Sequence, residues 1–87
     1  MSNSIVPPYF LACIWKASRL VADGSEKQKE GEALRKKVTD IMSKLALEDD
    51  PKKAEAMEKQ LYRLVEAGHA YYQDSMGFPM KPGHANL

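Results

Sequence analysis

Apolar residues recur at helical spacing along most of this chain, and three segments carry the signal. Leu34, Val38, Ile41 and Leu45 follow spacings of 4, 3 and 4, which lays them on one face of a helix. Ala54, Met57, Leu61, Leu64, Gly68 and Tyr71 follow spacings of 3, 4, 3, 4 and 3, the clearest periodic signal in the chain. Ahead of both, Tyr9 to Val21 is apolar at nearly every position. Its exceptions are Ser18 and a narrow stripe of Lys16 and Arg19, continued by Asp23 at i, i+3 and i+7.

Boundary residues divide the segments. Pro7-Pro8 opens the first, proline having no hydrogen bond to lose at the first helical position. Asp23-Gly24 ends it, with Gly24 suited to a left-handed backbone. Ser25-Glu26-Lys27-Gln28 fits an S-x-x-Q capping box. Asp50-Pro51 is a cap followed by a first-turn proline, and Gly77 closes the last segment. Gly31 inside the second helix costs about 1 kcal/mol relative to alanine, so either the first turn is weak or something packs closely there.

The pattern predicts an all-α fold: a small three-helix bundle with an antiparallel coiled-coil-like helical hairpin and an irregular C-terminal tail. The helices span about 9–22, 25–47 and 51–76, making residues 1–76 a single helical domain and 77–87 an extended tail. The short link between the second and third helices forces them to be antiparallel neighbours. Phe78, Met80 and Leu87 are the tail's apolar groups, expected to pack on the body or on a neighbouring subunit.

The first helix is apolar around most of its circumference, and such a helix is normally buried on most sides. One hairpin covers about one side. A second copy or a partner is expected to cover the rest, Trp15 included. The interface or ligand candidates are Tyr9, Phe10, Trp15, Lys16, Arg19, Tyr71, Tyr72 and Phe78, since tyrosine, tryptophan and arginine are common interface anchors.

Composition narrows the classes. Eighty-seven residues hold one domain and one small core. Thirteen Lys and Arg against twelve Asp and Glu give a net charge of +1, short of the basic excess of a nucleic-acid binder. Lys29, Glu32, Lys36 and Asp40 alternate in sign on one face, the pattern of a solvated, ion-paired helix surface. One cysteine excludes an intramolecular disulfide and fits a reducing compartment. Pro7, Pro8, Lys16 and Arg19 interrupt the most apolar stretch, so no membrane span is read; no basic residue precedes it and no small-residue cleavage site follows, so no signal peptide is read and a cytoplasmic protein is expected.

No constellation for catalysis stands out. Cys13 reads as a structural thiol. His69 reads as a cation near a helix C-terminus, and with His84 it falls short of a metal set. Neither a P-loop nor a nucleophile elbow is present, so no enzyme, cofactor or metal is expected. Leu61-Tyr62-Arg63 spells the tripeptide that the LYR family of small mitochondrial three-helix proteins carries near the start of its first helix. Here it falls inside the third helix with Leu61 in the core stripe, so the match is the tripeptide alone.

The functional expectation is a non-enzymatic helical protein-interaction module, homo-oligomeric, acting by binding. The alternatives are a nucleotide-like or other small-molecule binder with its pocket between subunits, where aromatic residues stack on the ligand and Lys16 or Arg19 reaches a phosphate, and a small inhibitor of a larger protein, as accessory factors of viruses and mobile elements are.

Overall fold

The computed structural model describes residues 6–85, with only the backbone of His84 and Ala85; Leu87 lies outside them. Three helices follow one another: α1 (Phe10–Leu20), α2 (Glu26–Leu47) and α3 (Pro51–Met76), with a single 3-10 turn, Pro82–Ala85, inside the tail. All three pairs of helices are in contact, a small all-α bundle.

The ends of the helices follow local chemistry, with α1 spanning Phe10–Leu20 instead of 9–22 and α2 beginning at Glu26 instead of 25. Pro7 and Pro8 form the turn that leads into α1, whose first N–H, that of Phe10, donates to the Pro7 carbonyl at 3.0 Å. At the other end α1 stops at Leu20, because Val21 is extended (φ −90°, ψ 169°) and Gly24 adopts the left-handed φ of 75° that turns the corner. The capping box is half formed. Ser25 Oγ accepts from the Gln28 N–H at 3.1 Å. The Gln28 amide, however, accepts from the Gly24 N–H (2.7 Å) and donates to the Ser18 carbonyl (3.3 Å) and Asp23 Oδ1 (3.2 Å), pinning the whole α1–α2 corner. Asp50 caps α3 through the Lys52 N–H at 2.9 Å, and Gly77 ends it at φ 84°.

Two glycines seat α1 on the hairpin. The Phe10 ring lies over Gly68 of α3, where an added Cβ would come within 2.8 Å of Phe10 Cε1. Ser18 lies over Gly31 of α2, where an added Cβ would come within 2.8 Å of Ser18 Cβ and closer still to the Tyr71 hydroxyl. Close packing, not a weak first turn, therefore explains Gly31. α1 crosses from α3 to α2, burying Phe10, Cys13, Ile14, Ala17 and Ser18. Beneath it lie Leu34 and Val38 of α2 and Leu61, Val65, Tyr71 and Tyr72 of α3. Val65 and Tyr72 stand beside the expected stripe, because α3 serves two neighbours and needs a wider apolar face.

Next to the corner, Lys27 clasps α2 to α3. Its ammonium bonds Asp74 and lies 5.1 Å from the centre of the Tyr71 ring, while the Tyr71 hydroxyl donates to the Lys27 carbonyl at 2.7 Å. The hydrogen bond from Lys27 holds the Asp74 carboxyl below its ordinary range and, reciprocally, raises Lys27. The tail folds back on the body: Met80 is buried, and Phe78 meets Tyr72 edge-on at 5.8 Å. Farther along the hairpin, Ile41, Met42 and Leu45 are only half-buried. Among the described residues no helix is long and apolar enough to cross a membrane.

Candidate functional site: a groove between α1 and α2

The side of α1 turned away from the hairpin carries Trp15, which keeps 39% of its surface exposed, and Leu20, which keeps 63%. Helical spacing places Arg19 one turn after Trp15, and its guanidinium sits 4.8 Å from the indole centre. This cation–π contact holds two flexible side chains as one flat, amphipathic unit. Ser18 beneath them spends its hydroxyl on the Trp15 carbonyl at 2.9 Å, which allows a polar residue to be buried there.

That unit forms one wall of an open groove of about 850 Å³. The opposite wall is the α2 face bearing Gln28, Glu32, Arg35, Lys36, Thr39, Asp40 and Ser43, with Lys37 at its edge. Four cations and two carboxylates line the groove as a whole, and the only ion pair they make among the described residues joins Asp40 to Lys44 at 3.3 Å. The ion-paired lattice expected on this face is therefore absent: Glu32 and Lys36, though one turn apart, do not pair. Arg19, Arg35, Lys36 and Lys37 present their charge to the solvent and to whatever occupies the groove.

The candidate residues divide into three groups. Trp15 and Arg19 belong to the groove. Phe10, Tyr71 and Tyr72 do not serve as interface residues: at 0%, 2% and 0% exposure they are the bulk of the core. They are the largest apolar groups available to fill the space around the two glycines, and a core that small needs them. Tyr9 and Lys16 are half-buried, and Phe78 belongs to the tail packing; none of the three lines the groove.

Other chemistry is displaced in the same way. His69 lies well inside α3, which ends at Met76. Its ring stacks on Phe10 at 5.6 Å, with Nε2 buried and lacking a hydrogen-bond partner among the described residues. Cys13 is fully buried, and burial pushes its thiol up from the ordinary value, as it does the Tyr71 and Tyr72 hydroxyls. No cluster of three His, Cys, Asp or Glu able to hold a metal occurs among the described residues.

Sequence reasoning missed Arg35, Lys36 and Lys37 as site residues, because it took Lys36 for a member of a self-paired surface. It also missed Leu47, 84% exposed at the end of α2. The readable signal was that Leu47 falls off the Leu34–Leu45 stripe and so has no core to face.

Against protein-family models, curated proteins and solved structures the chain shows no match, which leaves its function to be argued from this groove.

Proposed function

We propose that the protein is a non-enzymatic interaction module that binds another protein chain in the α1–α2 groove. The observation that carries this reading is the exposed Trp15–Arg19 pair sharing a groove with Arg35, Lys36 and Lys37, which make no ion pair among the described residues. Tryptophan and arginine supply most of the energy in many interfaces, because each combines a large apolar surface with a directional polar group. Here both are already held in place, which lowers the entropy lost on binding. A nucleotide-like ligand fits less well. Arg19 occupies an indole face that a base would stack on, and Glu32 and Asp40 break the positive lining that a phosphate chain would follow.

Photo-crosslinking in the native host tests this. A benzophenone amino acid at Thr39, in the groove, should give a discrete protein adduct. The same probe at exposed Glu58 on α3 should not, and Trp15→Ala with Arg19→Ala should remove the Thr39 adduct. Equal adducts from both positions, or a Thr39 adduct untouched by the double substitution, would overturn the reading.

A further inference from the structure

We infer that the groove's occupant is the hairpin turn of a second copy of this chain, so that two copies exchange Leu47-Glu48-Asp49 across a two-fold axis beside α2. This rests on the groove reading above and names its partner. Leu47 lies on the same strip of α2 as the groove wall: Lys36, Asp40, Ser43 and Leu47 follow spacings of 4, 3 and 4. The strip thus begins at Lys36, which with its neighbours Arg35 and Lys37 makes no ion pair among the described residues, and ends in an exposed apolar side chain followed at once by Glu48, Asp49 and Asp50. A surface basic at one end and acidic at the other is complementary to itself when reversed, which is the condition for a two-fold interface.

The register can be read from the charges. Two α2 helices laid antiparallel with the axis at the level of Met42 bring Arg35 level with Asp49 of the second copy, Lys36 level with its Glu48, and Asp40 level with its Lys44. Every one of these opposed pairs then has opposite sign; within α2 the levels stay matched at about 1.5 Å per residue, and Glu48 and Asp49 follow directly on its last residue, Leu47. Lys37 falls level with Leu47 of the second copy, whose side chain is 84% exposed in the single chain. Lys52 and Lys53 follow the acidic turn but belong to α3, and Lys53 lines a separate hollow with Ile41 and Met57. Shifting the register by one helical turn sets Lys36 level with Lys44 and Asp40 level with itself, like against like, so the alternatives are penalised by repulsion.

The test is a charge exchange followed by analytical ultracentrifugation and native mass spectrometry. Wild-type protein should form a dimer whose dissociation increases with salt. The groove variant, Arg35→Glu with Lys36→Glu, and the turn variant, Glu48→Lys with Asp49→Lys, should each associate roughly tenfold more weakly or worse. Circular dichroism must show both still helical; Asp50 is left intact because it caps α3. An equimolar mixture of the two variants should recover a heterodimer, since both exchanged contacts regain opposite charges. A monomeric wild type, undiminished association in either variant, or a mixture that stays monomeric would overturn the inference. A monomeric wild type that still gives a Thr39 adduct to a different protein would leave the groove reading standing, so the two fail separately.

Discussion

Gly68 and Gly31 set how closely α1 can approach the hairpin. Glycine inside a helix costs about 1 kcal/mol of helix stability relative to alanine, and at both positions the cost is offset by what sits above the missing Cβ. Phe10, whose ring occupies the space over Gly68, cannot retreat without losing contact with Ile14 and His69 around it. Gly68→Ala should therefore destabilise the fold by about 1–3 kcal/mol, as overpacking does, despite alanine's better helix propensity. Gly31→Ala should do the same through Tyr71 and Ser18. Thermal or urea unfolding measures the loss, and a stabilised Gly68→Ala would mean that the Phe10 seat is wrong. The Trp15–Arg19 pair needs no such seat. Its spacing of four was visible along the chain, but its exposure depended on which side of α1 the glycines accept.

Among the elements, α1 depends most on the others. It has 11 residues against 22 and 26 for α2 and α3, too short to be stable alone. It is held by the glycine seats, by Gln28 at the corner and by the tail. Met80 is buried and Phe78 braces Tyr72, so the tail acts as cover for α1 although it contributes only one 3-10 turn. A chain ended at Gly77, which keeps the α3 cap, should melt at a lower temperature and show altered Trp15 fluorescence as α1 loosens. An unchanged melt would mean that the tail adds nothing to the fold. The hairpin behaves differently along its length: Leu61 is 2% exposed where α1 overlies it, whereas Ile41 and Leu45 nearer the turn are half-buried.

At the scale of the whole molecule, three groups that ionise in alkali are buried together in the core. Burial raises Cys13, Tyr71 and Tyr72 above their ordinary values of 9.0 for the thiol and 10.0 for the hydroxyls. In each, the folded state holds its proton more tightly than the unfolded chain, so stability is complete below the ordinary value and declines as the pH rises through the raised one. Melting temperature should be level through neutral pH and fall once the pH passes about 9 to 10. Tyr72→Phe, which removes one of the three groups, should lessen that fall even where it lowers stability at neutral pH. A melting temperature that does not decline above pH 10.0 would show that these groups are not buried as described. Asp74, exposed and held low by Lys27, acts in the opposite sense and only in acid.

The chain's own periodicity and punctuation determined the helices, their number and the antiparallel hairpin. These depend on neighbours within a few residues: Ser25 capping α2, Asp50 and Pro51 opening α3, Gly77 taking a left-handed backbone at its end. Tertiary structure decided which aromatic residues face inward. Tyr71 falls on the periodic stripe of the third helix, but Phe10 and Tyr72 look the same along the sequence as Trp15 does, and only the close seats over Gly68 and Gly31 and the crossing of α1 separate core from surface. It also decided the fate of the charges. Opposite charges one turn apart are able to pair, but Arg35 and Lys36 make no ion pair among the described residues, because an exposed pair gains little over two hydrated ions and must give up the freedom of both side chains.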